Sequence, residues 1–314
     1  MAVGTGGETM AGWNRRSTAE EVTEGVDLRG RTAIVTGANA GLGTETARVL
    51  ALRGAHVVMA CRNEEKAEKA RSTIVRESEG KLTDDSFEIQ ALDLASLDSV
   101  RSFASNFIAQ DRPLHLLVNN AGIMIPDRLE TVDGFEAHFG TNHLGHFLLT
   151  NLLIDLLKSS GPARVVNVSS EAMQMSGLTR ELDDLNWEQR SFSGWRAYGN
   201  SKLMNLLFTR ALARRYGDAG ISSNALHPGM IRTELARSQR WPFLILGVAF
   251  LPWMKTVEAG AATTAYLATA PEFDRGGGGY FSDCAPARPP KLANDEDVQE
   301  RLWEISARLT GLDS

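Results

Sequence analysis

From Arg31 onward, short runs rich in β-branched residues alternate with longer stretches whose apolar residues recur every three or four positions. That alternation restricts the chain to a mostly parallel sheet whose strands are joined by crossover helices. Strands are expected in TAIVTG, HVVMAC, FEIQAL, HLLVNN, RVVNVSS, ISSNALH and GGYFSD, about seven in all. Helical patterns such as LGTETARVLALRG and NEEKAEKARSTIVRES lie between them. No internal repeat or low-complexity linker interrupts residues 31–270, so the expectation is one α/β domain, a doubly wound parallel sheet with helices on both faces. It occupies residues 17–314 and follows a disordered tail over residues 1–16. STAEEV offers Ser17 or Thr18 as a helix cap with Glu20 or Glu21 three residues on, and NDEDVQERLWEISARLTG reads as a closing helix ended by Gly311.

The first strand runs straight into TGANAGLGTETA, which sets Gly37, Gly41 and Gly43 at the entry to the first crossover helix. A strand, a glycine-rich turn and a helix N-terminus together make an anion site, because free N–H groups converge there and glycine admits a close approach. The spacing is G-x-x-x-G-x-G and not the generic G-x-G-x-x-G, so a variant of the Rossmann-type dinucleotide turn is implied. An acidic residue ending the second strand would accept bonds from a ribose 2′-hydroxyl. Here that strand ends in ACRN, with Cys61 at the acidic position and Arg62 next to it. A guanidinium binds phosphate through paired hydrogen bonds and a carboxylate would repel it, so this end favours NADP over NAD.

Tyr198 and Lys202 stand four residues apart in AYGNSK, ahead of the apolar run LMNLLFTRAL. Positions i and i+4 share a helix face. A free phenol titrates near 10, too high for proton exchange at neutral pH, and a neighbouring ammonium would lower it. Lys202 is therefore expected to bring the Tyr198 pKa down. His138, His143 and His146 raise a zinc reading, but no carboxylate or cysteine completes a ligand set, and no metal is expected.

TGANAGLG, together with NNAG at Asn119 to Gly122, TNHLGH around Asn142, RVVNVSS ending at Ser170 and YGNSK, resembles the short-chain dehydrogenase/reductase family. In GAHVVMACRN, NHLGHF, SKLMNLLF, NALHPG, GAATTAY and GGYFSDC it is most similar to the retinol dehydrogenase and WW-domain-containing oxidoreductase branch, without WW domains. The resemblance covers roughly Asp27 to Leu309. It implies a catalytic set of Asn142, Ser170, Tyr198 and Lys202, in which Ser170 holds the substrate oxygen, Tyr198 exchanges the proton, Lys202 also binds the nicotinamide ribose and Asn142 holds a water. Ser169 is the neighbouring alternative to Ser170; strand alternation lets only one of them face the site. It further implies that the cofactor lies along Gly37, Asn39, Gly41, Leu42, Gly43, Arg62, Asn63, Asp93, Leu94, Asn120, Ala121, Gly122, Tyr198, Lys202, Pro228, Gly229 and Thr233. The 28-residue interval from Ser170 to Tyr198 is expected in this branch, with QMSGLTRELDDLNWEQRSFSGW rimming the substrate pocket.

The longest apolar run, Trp241 to Met254, is too short to span a bilayer and contains Pro242 and Pro252. It is expected to belong to a substrate lid near residues 230–256, with a dimer interface or a shallow membrane contact as the open alternatives. An apolar lid implies a lipophilic substrate. The function expected is NADP(H)-dependent hydride transfer to or from a lipophilic ketone, aldehyde or alcohol, with reduction favoured if the cell keeps its NADP pool reduced. The alternative is a catalytically silent NADP-binding sensor or scaffold. The net charge of −6 argues against nucleic acid, and two distant cysteines, Cys61 and Cys284, fit a reducing, cytoplasmic setting with no disulfide framework. Family analogy implies a homodimer or homotetramer.

Overall fold

The structure, a computed structural model, describes residues 12–231 and 254–312. Its centre is one sheet in the order β3-β2-β1-β4-β5-β6-β7-β8. The strands are β1 Thr32–Thr36, β2 His56–Cys61, β3 Phe87–Ala91, β4 Leu116–Asn119, β5 Ala163–Val168, β6 Ile221–His227, β7 Gly277–Ser282 and β8 Ala285–Pro286. All neighbouring pairs are parallel except β7 and β8. Seven strands were expected. The eighth has only two residues, pairing through Ser282 with Ala285, and carries no alternation a sequence reading could detect.

Successive side chains of a strand point to opposite faces, and here both faces are covered. On β1, Ala33 and Val35 enter one core cluster and Ile34 the other; on β2, Val57, Met59 and Cys61 enter the first and Val58 and Ala60 the second. The crossover helices supply the covering layers. On one face lie α1 Ala19–Val22, α2 Gly41–Leu52 and the late helix α8 Val257–Thr269. On the other lie α4 Leu97–Ile108, α5 Gly145–Leu152 and α6 Ile154–Ser160, together with part of α7 Gly194–Tyr216. The remaining crossover helix, α3 Glu64–Glu77, follows β2, and α9 Glu296–Thr310 closes the chain.

The caps fall where the side chains demand. Thr18 and Glu21 form the capping box of α1, and α9 stops at Gly311, whose φ of 66° is the left-handed conformation that terminates helices cheaply only for glycine. Of the expected tail, residues 1–11 lie outside the described residues, while Trp13 packs partly buried against the core. The lid expectation and Thr233 also fall largely outside the described residues. The chain on either side of that stretch is joined: Ile231 bridges Lys255 in parallel, and the Lys255 amide donates to the Met230 carbonyl at 2.8 Å. Among the described residues, no helix is long and apolar enough to cross a membrane.

β1 and β4 are neighbours, but β1 leads outward to β2 on one side while β4 leads to β5 on the other. Chain direction across the sheet reverses between them, and open α/β sheets form their ligand crevice at such a point, beyond the carboxyl ends of the strands.

Candidate active site

The crevice floor is made by two turns in contact. After β1 the chain turns at Gly37, with φ of 67°, and its amide donates to the Ala60 carbonyl at 2.8 Å. A Cβ on Gly43, in the first turn of α2, would lie 2.3 Å from the Gly37 oxygen and 2.6 Å from Asn120 Nδ2, so no larger residue fits unless the backbone moves. Asn120 Nδ2 donates to the Thr36 carbonyl at 2.8 Å, and the Asn120 and Ala121 amides each donate to Thr36 Oγ1 at 2.9 Å. The N-cap of α2 is Ala40, which has no side chain to cap it. The first amides of that helix therefore point into the crevice without a side-chain acceptor, which suits a pyrophosphate. Asn39 and Leu42 are half-buried in the same turn.

Beyond β2, Cys61 is buried under the glycine turn and its thiol is pushed up to about 12 by that burial. Arg62 is exposed, with no carboxylate partner among the described residues, whereas Asn63 is occupied as the N-cap of α3, its Oδ1 accepting from the Lys66 amide at 2.8 Å. Asp93, after β3, accepts from the Ala95 amide at 3.0 Å, and Leu94 is buried against Gly145. Pro228 and Gly229 follow β6, with Gly229, at φ of 92°, lying over the aliphatic stem of Lys255. Lys255, itself buried, pairs with Asp283 at 2.5 Å.

The four expected catalytic side chains converge at the carboxyl end of β5. Lys202 Nζ lies 5.6 Å from the centre of the Tyr198 ring and donates to the Val168 carbonyl at 3.0 Å. Ser170 hydrogen-bonds the Tyr198 hydroxyl, and its own Oγ accepts from the Ala172 amide at 3.1 Å. The Ser169 hydroxyl is engaged elsewhere, donating to the Lys202 carbonyl at 2.6 Å. Asn142 is fully buried in a π-helical stretch, Phe139–Leu144, a widening that often marks function. Its side chain is held by the Ile123 backbone and Ser201 Oγ, and a Cβ on Gly122 would come within 3.4 Å of its Oδ1 and 3.2 Å of Lys202 Nζ.

One electrostatic expectation is corrected. The Tyr198 pKa is raised, not lowered, because burial against a low-dielectric wall outweighs the Ser170 hydrogen bond. Lys202 is pulled down to about 8 by its own burial. At that value it is mostly charged at neutral pH and neutral in mildly alkaline solution.

The three histidines do not gather around one point. His138 Nδ1 bonds Glu136 Oε1 at 2.6 Å, His143 Nε2 meets Ser306 Oγ at 2.8 Å, and His146 Nε2 meets Thr36 Oγ1 at 2.9 Å. No group of three or more potential ligands among the described residues could hold a metal. The Glu136–His138 pair was not singled out from sequence. Its imidazole accepts from the Ile125 amide at 3.0 Å and meets the Tyr198 ring edge to face at 6.1 Å, and Phe192 of the long interval stacks on it at 6.4 Å. Nothing in FEAHF announces that contact, since it joins segments sixty residues apart.

Burial holds His143 at about 3 and His146 at about 4, below the usual 6.5. Both bind fewer protons folded than unfolded. Their contribution to stability is complete above pH 6.5 and is lost as pH falls toward 4, by roughly 3 kcal/mol for His146 alone. Urea midpoints measured between pH 7.5 and 4.5 should fall monotonically, and a His146→Phe variant should show a shallower decline.

Comparison with known proteins agrees with this geometry. The family described as short chain dehydrogenase matches residues 31–181, and the one described as Enoyl-(Acyl carrier protein) reductase matches residues 185–271. Retinol dehydrogenase 12 of Mus musculus is 43% identical over 290 residues, covering 92% of this chain and 89% of the relative. WW domain-containing oxidoreductase of Danio rerio is 46% identical over 297 residues, covering 93% of this chain and 71% of the relative. A crystal structure of an uncharacterized protein from Mycobacterium Paratuberculosis superposes with a TM-score of 0.74 at 37% identity, covering 94% of this chain and 98% of that one. With the glycine turn at the reversal point of the sheet and a tyrosine–lysine pair at the end of β5, the chain belongs to the short-chain dehydrogenase/reductase family.

Proposed function

We propose that the chain is an NADP(H)-dependent oxidoreductase acting on a lipophilic ketone or aldehyde, or the corresponding alcohol, with reduction as the favoured direction. The observation that carries this reading is the convergence of Ser170, Tyr198, Lys202 and Asn142 beside a glycine turn with no room for a Cβ at Gly43. The nicotinamide, when bound, supplies or accepts the hydride. Ser170 and the Tyr198 hydroxyl, already hydrogen-bonded to each other, bracket the carbonyl oxygen, and Tyr198 transfers its proton as negative charge develops there. Lys202 holds positive charge against the ring and so favours the phenolate left behind. The Val168 carbonyl, accepting from the ammonium at 3.0 Å, fixes its place, with Gly122 alongside. Exposed Arg62, with Cys61 where a carboxylate would discriminate against phosphate, supports the 2′-phosphate preference. Similarity to proteins named retinol dehydrogenase supports a lipophilic alcohol or aldehyde, as does the Phe192 and Trp187 wall beside His138.

The test is oxidation of NADPH and NADH with a panel of lipophilic ketones and aldehydes. NADPH should be preferred, and Arg62→Ala should weaken NADPH about tenfold while leaving NADH unchanged, as expected for loss of one charge-assisted phosphate contact. Turnover with none of the panel would overturn the enzyme reading; equal loss of both cofactors in Arg62→Ala would overturn the NADP assignment.

A further inference from the structure

His146 is buried on α5, and both of its ring nitrogens are committed. Nδ1 lies 3.1 Å from the carbonyl oxygen of Asn142, and Nε2 lies 2.9 Å from Thr36 Oγ1. A carbonyl can only accept, so Nδ1 carries the proton and Nε2 of the neutral ring is an acceptor. Thr36 has one hydroxyl proton. Its oxygen already accepts from the Asn120 and Ala121 amides, and its proton can go to Nε2 at 2.9 Å or to the Val118 carbonyl at 3.4 Å. The shorter distance favours Nε2. One protonation state therefore satisfies every group: a neutral imidazole with hydrogen on Nδ1. A protonated ring would aim a second N–H at an oxygen that already accepts twice.

The consequence is a continuous connection between the two halves of the site. Thr36 holds the Asn120–Ala121 turn that closes against Gly37 and Gly43, and Asn142 lies beside Gly122 and Lys202. We propose that His146 is a positioning residue that registers the cofactor cradle against the Asn142–Lys202 side of the catalytic set through its two opposed hydrogen bonds. The inference rests on the function proposed above for its turnover measurement and on the NADP assignment for its titration; the ring spectra need neither.

Two substitutions separate the two bonds. His146→Phe removes both and keeps a ring. His146→Asn keeps a donor for the carbonyl one turn back, as Asn151 does on the same helix, its Nδ2 donating to the Phe147 carbonyl at 2.8 Å, but it cannot reach Thr36. One neutral hydrogen bond corresponds to a factor of about five. The expected results are an NADPH dissociation constant, by fluorescence titration, raised about fivefold in both variants, and a kcat lowered about fivefold in His146→Phe but within twofold of wild type in His146→Asn. In the unaltered protein, nitrogen-15 shifts should report a neutral Nδ1–H ring from pH 8 to pH 5. The proposal is overturned if the two variants behave alike in kcat, if neither changes the NADPH titration, or if the ring carries its proton on Nε2. The titration and the resonance spectra need no turnover, so they decide the matter even for a protein that reduces no carbonyl.

Discussion

Tyr198→Phe is expected to lower kcat by between about 100-fold and 10 000-fold while leaving the fold and NADPH binding intact. In the proposed mechanism the phenol is the proton donor, set beside Ser170 and kept protonated by burial that raises its pKa. The ring itself stays, and with it the edge-to-face contact to His138 and the packing over Lys202. The variant should therefore bind NADPH with wild-type affinity and unfold at a similar temperature. Retention of full turnover would remove Tyr198 from the chemistry; an absence of turnover in wild type and variant alike would return the silent nucleotide-binding protein as the better account.

Gly43→Ala is expected to reduce NADPH affinity at least 100-fold, or to prevent folding of the α2 entrance. The added methyl would sit 2.3 Å from the Gly37 oxygen and 2.8 Å from its carbonyl carbon, both backbone atoms that cannot rotate aside. Relief requires the turn to open, which separates Gly37 from Ala121 and tilts the uncapped amides of α2. Gly80→Ala serves as a control, because no heavy atom lies within 4 Å of a Cβ there; its own φ of 84° makes some loss of stability, but no loss of cofactor affinity, the expected result. Fluorescence titration with NADPH beside thermal unfolding distinguishes the two.

The sheet was readable because its strands are buried on both faces: a run such as AIV in β1 feeds two cores at once and so shows as uninterrupted β-branched sequence. The glycine turn and the Tyr198–Lys202 pair were readable because local spacing sets their geometry. What sequence did not yield is of another kind. β8 is too short to carry a pattern, and the Tyr198 shift reverses the expectation because a helical i, i+4 argument accounts for the nearby cation but not for the desolvation of a ring buried against His138. The resemblance puts Asn63 along the cofactor; that it also caps α3, through one backbone amide, shows only in the structure. The roles of Thr36 and His146 depend on contacts 110 residues apart and leave no mark in either local stretch.

The bridge between Ile231 and Lys255 has a separate implication. Ile231 and Lys255, which flank residues 232–253 in the sequence, are joined at one seam, made fast by Lys255 on Asp283. The two joined ends thus keep Gly229 and Asp283 in place as a property of the domain itself.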